Sequence, residues 1–196
     1  YDNPESRGKL DAETVAEIER LIEQTDSKSA VDVLRHEIKG RITARMVHPN
    51  TKMVYETSDL QSDDAHRLLG HEVFEQEEVN PPLGYNGLEA LMGDAQLKAL
   101  FRVEMETIKS LIDEGFNISI QFNSIKTPDS LQKAMDVLKE VGIDVTKVDV
   151  GMNTAWPGNY LFLQSYLGHG LSFVTLDERN LAKAYLAADL YKNERV

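Results

Sequence analysis

Cysteine is absent from the 196 residues. Disulfides, thiolate metal ligands, iron–sulfur ligation and a cysteine nucleophile are thereby excluded within this stretch. A reducing, cytoplasmic setting is expected. Basic residues are scarce: 21 Lys and Arg face 33 Asp and Glu, a net charge of −12. That deficit argues against nucleic-acid binding, whose affinity comes largely from clustered cations, and against anionic membrane surfaces. It argues mildly against an anionic small substrate as well. No apolar run approaches the roughly 20 residues of a membrane span, and no basic start leads into an apolar stretch, so no signal peptide is visible. Also missing are G-x-G-x-x-G, G-x-x-x-x-G-K-[ST], G-x-S-x-G and H-E-x-x-H, which removes the commonest nucleotide, hydrolase and zinc-protease signatures. What remains, 41% hydrophobic and 28% charged, is ordinary globular composition with enough apolar residues for one core.

The hydrophobic pattern predicts alternating elements. Residues 11–25 read as an amphipathic helix capped by Asp11, with Val15, Ile18, Leu21 and Ile22 on one face. Residues 27–46 read as a second helix, weakened at Gly40. Residues 52–57 look like a strand, followed by a long polar stretch over 58–87. Residues 94–114 form a helix with Leu97, Leu100, Phe101, Met105, Ile108 and Ile112 inward, and Gly115 suits its end. A strand at 117–122 precedes Thr127-Pro128, a cap followed by proline at the first helical position; that helix runs to Val141. Strands at 147–151 and 170–176, a helix at 157–167, and a final helix capped by Asp177 complete the pattern. Strands alternating with helices of about ten or more residues mean a parallel sheet, doubly wound or barrel. The expected organisation is a single domain over 1–196, with N-terminal helices in 1–50 and the β/α part in 51–196. The chain starts at Tyr1 rather than Met, so a piece of a longer protein stands as an alternative.

The most biased segment is residues 59–78, with seven carboxylates against Arg67 alone: a net −6, half the charge of the chain. With His66 and His71 it admits a hard-cation or His/carboxylate site, but no ligand spacing matches a known metal loop, and a solvated loop with a short helix at 62–69 is the simpler expectation. His36 is expected to pair with Glu37 at the surface, and His48 to serve a turn before Pro49. His169, between Gly168 and Gly170, either packs or points into a pocket. Trp156, before Pro157, either packs or stacks on a ligand.

Residues 52–60, KMVYETSDL, and 70–87, GHEVFEQEEVNPPLGYNG, resemble the C-terminal barrel of phosphoenolpyruvate synthase, and more distantly that of pyruvate phosphate dikinase and of enzyme I of the sugar phosphotransferase system. There, a strand ending in R-x-S-D leads through an acidic loop to N-P-x-L-G-[FW]-R-G. Asn80-Pro81 and Leu83-Gly84-Tyr85 keep that frame. Phe101, Glu104, Glu106 and Lys109 echo F-x-x-E-x-E-x-I/V-K, and NISIQFNSIKT at 117–127 echoes N-[VI]-x-I-M-I-P-F-V-R-T. Residues 154–159 stand where C-E-I-P-S-N is expected, and 171–177 echo F-S-I-G-S-N-D. The resemblance covers roughly residues 28–190 and implies an α/β fold: an incomplete TIM-type (β/α) barrel with parallel strands, since a full barrel takes about 250 residues. On this alignment two barrel strands would precede Tyr1 and at least one would follow Val196.

The resemblance also implies what is lost. Its two substrate-binding arginines fall on Glu56 and Asn86, and its metal-binding Glu on Ala155; its second metal ligand is kept as Asp177, beside Leu176 instead of Asn. A carboxylate in place of a guanidinium repels the anion it should hold, so no phosphoenolpyruvate binding and no bound magnesium, the family cofactor, are expected. The proton-donating Cys would lie past Val196, and the phosphorylated His belongs to another domain. A catalytically inactive barrel derivative with a structural, regulatory or interaction role follows; the alternatives are an enzyme with a rebuilt pocket, or a fragment of such an enzyme. No residue is expected to be catalytic. Glu56, Asn86, Asn123, Asn153, Thr154 and Asp177, with Asp149, are expected at or near strand C-termini, where barrel sites form, in a pocket suited to a neutral or cationic ligand. An incomplete parallel sheet leaves edges and apolar faces, so a homo-oligomer or larger assembly is expected, with neither nucleic acid nor membrane as partner.

Overall fold

In the computed structural model, which describes residues 1–46, 48, 51–59, 68–70 and 86–186 (side chains of 183 and 184 excepted), three helices lead into the sheet. They are α1 (Pro4–Arg7), α2 (Ala12–Gln24) and α3 (Ala30–Thr43). Each begins on a side chain that satisfies free N–H groups: Asn3, Asp11 and Ser29. Their apolar stripes cover little, since Ile42 alone is fully buried. Ion pairs from Arg35 to Glu106 (2.8 Å) and from Lys39 to Glu114 (2.5 Å) tie α3 to the long helix described next.

The sheet comprises β1 (Met53–Glu56), β2 (Ile118–Phe122), β3 (Val150–Thr154) and β4 (Phe173–Leu176). Between them lie α4 (Gly87–Gly93), α5 (Ala95–Asp113), α6 (Pro128–Glu140), α7 (Pro157–Leu161) and α8 (Leu163–Leu167); α9 (Glu178–Leu186) follows β4. All strands are parallel and stand in the order β1-β2-β3-β4. A doubly wound sheet reverses its order at a switch point. Here every crossover steps the same way, and right-handed crossovers then place the helices on one face. The architecture is that of an incomplete (β/α) barrel, as expected.

Register divides the side chains between two faces. Met53, Tyr55, Ile118, Ile120, Phe122, Val150, Met152 and Val174 join Phe101, Met105, Ile108 and Leu111 of α5 and Leu131, Ala134, Met135 and Leu138 of α6 in one core. The opposite face carries Val54 and Glu56, then Ser119 and Gln121, then Gly151 and Asn153, then Phe173 and Thr175. It is mostly polar. Gly151 leaves room for the Phe173 ring, whose atoms lie 2.4 Å from where a Cβ would stand.

Several boundaries differ from the sequence expectation. The strand expected at 147–151 starts at Val150, because Asp144 builds a turn: its carboxylate accepts from Thr146 N (3.0 Å) and Oγ1 (2.7 Å), and its carbonyl from Val148 N (3.0 Å). The strand expected at 170–176 starts at Phe173. The single helix expected at 157–167 breaks at Phe162 (φ −116°, ψ 25°). Leu161 and Phe162 are exposed and have nothing to bury against, whereas the break turns Tyr166 inward to donate to the Lys126 carbonyl at 2.9 Å. Leu100, expected inward, is exposed, and Leu111 is buried instead. His36 does not pair with Glu37, since adjacent helical residues diverge; Glu37 pairs with Arg41 one turn on. The acidic segment's helix at 62–69, its two histidines and the Asn80–Tyr85 frame lie outside the described residues.

Candidate functional site

The polar face ends in a cleft at the C-terminal ends of the strands. It measures about 410 Å³ and is lined by Glu56, Gln121, Asn153, Thr175, Asp177 and Arg179, with Leu176 and Glu178 at its rim. At its centre is Gln121, buried to 3% exposure on the middle of the sheet. Its Nε2 donates to Glu56 Oε1 (3.1 Å) and Asn123 Oδ1 (3.2 Å), and its Oε1 accepts from Thr175 Oγ1 (2.9 Å). One amide thus joins β1, β2 and β4. Asn123 closes the ring: its N and Nδ2 donate to Thr57 Oγ1 and Thr57 O, both at 3.2 Å.

Of the candidates read from the sequence, Glu56, Asn153 and Asp177 meet in this cleft, and Asn123 reaches it through Gln121. Gln121, Thr175 and Arg179 were not singled out. Their signal was the alternation along each strand, which puts Gln121 and Thr175 on the same face as Glu56 and Asn153. Thr154 is not available to a ligand: it is fully buried, with Oγ1 2.8 Å from the Thr175 carbonyl and 2.9 Å from Tyr160 Oη. Asn86 is also buried (2% exposed), at the start of α4, and does not line the cleft. Asp149 is at the opposite end of the sheet, just before β3, paired with Lys52; the later start of the strand moved it there. His169 packs instead of entering a pocket, with Nδ1 2.8 Å from Gln132 Oε1 on α6. Trp156 lies under the Lys126 ammonium, 5.0 Å from its ring centroid.

The loops at this end are firmly held. Gly87 has φ +61°, and a Cβ there would stand 2.3 Å from Ser124 Cβ, so only glycine lets the start of α4 approach the loop after β2. Ser124 Oγ in turn donates to Asp59. Glu89 accepts from Lys126 N (2.9 Å) and Thr127 N (2.7 Å) and binds Ser130 Oγ, anchoring the same loop at the start of α6. Asn159, fully buried, accepts from Trp156 N (3.0 Å) and donates to Ile125 O (2.9 Å). Glu104 secures the exit of β1 by accepting from Tyr55 Oη (2.8 Å) and Ser58 N (3.0 Å); burial drives its pKa upward, against the pull of those two donors.

The magnesium implied by the resemblance does not fit these residues. Ala155, which the resemblance aligns with the metal-binding glutamate, has no side-chain oxygen to offer and is buried. Both oxygens of Asp177 are engaged by Asn180, Oδ1 by its N (2.9 Å) and Oδ2 by its Nδ2 (2.8 Å); Asp177 caps α9, as expected. Among the described residues no three His, Asp or Glu side chains converge as ligands, and no helix is long and apolar enough to cross a membrane.

No family model matches the chain. Curated proteins do. It is 29% identical over 167 residues to a protein of Archaeoglobus fulgidus named probable phosphoenolpyruvate synthase, covering 85% of this chain and 21% of that protein. It is 26% identical over 172 residues to one of the same name from Methanocaldococcus jannaschii (87% and 14%). It is 30% identical over 165 residues to phosphoenolpyruvate synthase of Neisseria meningitidis (81% and 20%). The chain is thus a relative of phosphoenolpyruvate synthases and spans about a fifth or less of the length of these three.

Proposed function

From this kinship with phosphoenolpyruvate synthases as premise, we propose that the chain is a barrel segment that has lost phosphoenolpyruvate chemistry and acts through protein contacts, in a structural or regulatory role. The observation that carries this reading is Glu56. The resemblance puts it where a substrate-binding arginine is expected, and it accepts a hydrogen bond from Gln121 at 3.1 Å; on this reading a carboxylate stands in the place of a multiply anionic substrate's partner. Ala155 and the engaged oxygens of Asp177 support the loss of the metal site. No magnesium and no catalytic residue enter the proposal.

Self-association in a cytoplasmic setting belongs to the same proposal. Among the described residues, β1 pairs only with β2 and β4 only with β3, which leaves two strand edges to be covered. A second copy or another protein would cover them.

Two measurements test the reading. The purified chain is incubated with phosphoenolpyruvate or pyruvate, ATP and Mg²⁺ and followed by ³¹P NMR; no phosphoryl transfer is expected, and turnover would overturn the proposal. Light scattering at micromolar protein is expected to give a mass above that of one chain. A second reading, an enzyme with a rebuilt pocket, is favoured by the open polar cleft itself.

A further inference from the structure

The cleft holds groups whose hydrogen-bonding or charge capacity is not met among the described residues. Asn153 Oδ1 is buried and accepts no hydrogen bond among the described residues. Glu56 receives one hydrogen bond from a neutral amide and forms no ion pair among them, and neither does Arg179. All three line the same cavity of about 410 Å³, within the usual range for small-molecule sites.

The orientation of the acceptors is set. Gln121 is held by Thr175 on its oxygen, so its amide nitrogen faces Glu56 and Asn123. That leaves Asn153 Oδ1 as a buried acceptor without a donor among the described residues and Glu56 Oε2 as an exposed one beside it in the cleft, and a donor-bearing ligand would satisfy both. Arg179, in the first turn of α9, adds a planar cation that matches a carboxylate. Asp177 and Glu178 border the cleft as well; the Asp177 oxygens accept from Asn180, and among the described residues neither acid stands within ion-pair distance of Arg179, the one cation in the lining.

We propose that this cleft binds a small zwitterion of the amino-acid class, with its ammonium on Glu56 and Asn153 and its carboxylate on Arg179. The inference rests on the reading that the site has given up phosphoenolpyruvate, because it uses Glu56 as an acceptor for a cation. It replaces a purely anionic ligand by one that presents both charges, and so accounts for an arginine and a glutamate in one cleft.

The test is a titration of the ¹⁵N-labelled chain with L-alanine, β-alanine and γ-aminobutyrate, each to about 10 mM, a concentration that detects millimolar affinity. n-Propylamine and propionate serve as single-charge controls, and phosphoenolpyruvate as the separate arm for the parent reading. At least one zwitterion is expected to shift the side-chain amides of Gln121 and Asn153, with at least tenfold higher affinity than either control. Glu56→Gln and Arg179→Gln should each lower that affinity by about tenfold or more. Both positions are exposed, so the variants are expected to retain the wild-type circular dichroism. Absence of shifts with all three zwitterions overturns the inference. So does equal binding of propylamine, or binding that survives Arg179→Gln. Binding of phosphoenolpyruvate at Gln121 and Asn153 would instead overturn the parent reading, whereas inertness of every probe removes the inference alone.

Discussion

Gln121 and Glu56 stand opposite each other in the parallel register of β2 and β1, and the amide of one donates to the carboxylate of the other at 3.1 Å. Gln121 is buried and Glu56 exposed, so the pair runs from the interior of the sheet to the mouth of the cleft. Replacing Gln121 by Leu leaves Thr175 Oγ1 without its 2.9 Å acceptor and Glu56 and Asn123 without their donor. We expect a loss of about 1–3 kcal/mol, seen as a lower urea midpoint with unchanged slope. A wild-type midpoint would show that the network contributes nothing to stability.

Glu104 should make stability depend on pH. Burial raises its pKa above the ordinary 4.5, so the folded chain keeps this proton to higher pH than the unfolded chain does. The stabilisation is complete below 4.5 and is lost as pH rises through the folded value. Glu104→Gln mimics the protonated form and can still accept from Tyr55 and Ser58. Its stability relative to wild type is therefore expected to increase as pH rises above 4.5, measured by urea unfolding at several pH values. Parallel profiles would contradict this assignment.

Gly151 and Phe173 are coupled by space. A Cβ at 151 would meet the Phe173 ring at 2.4 Å. Gly151→Ala is expected to cost about 1–3 kcal/mol through overpacking. Combined with Phe173→Ala, the two changes should be non-additive by about 0.5–3 kcal/mol, because the second removes the clash created by the first. Additive losses in thermal unfolding would mean that the ring moves aside freely.

Restoring one arginine should not restore chemistry. Glu56 is exposed, so Glu56→Arg is expected to fold and to gain weak, salt-sensitive phosphoenolpyruvate binding. Phosphoryl transfer should stay absent, since Ala155 still offers no metal ligand. Asn86→Arg is a different matter: at 2% exposure the guanidinium would be forced into the interior, and unfolding or insolubility is expected. Turnover by Glu56→Arg alone, measured by ³¹P NMR, would refute the account of the lost site.

The amino-acid order determined the element types and most of the core on its own terms. Leu131, Ala134, Met135 and Leu138 repeat at helical spacing, Thr127-Pro128 opens α6, and Asp177 caps α9, because capping and amphipathicity are local and act within a turn or two. The motif frame around residues 52–60 and 117–127 likewise carried the kinship and the incomplete barrel. Tertiary structure decided matters that depend on distant residues. The Asp144 turn delayed β3 and sent Asp149 to the far end of the sheet. Burial withdrew Asn86 and Thr154 from the candidate site. Parallel register placed Gln121 beside Glu56, although 65 residues separate them, and Thr175 within 2.9 Å of Gln121. A strand's own sequence specifies that its side chains alternate between two faces; which face is covered by helices, and which neighbours stand alongside, is settled only when the strands align.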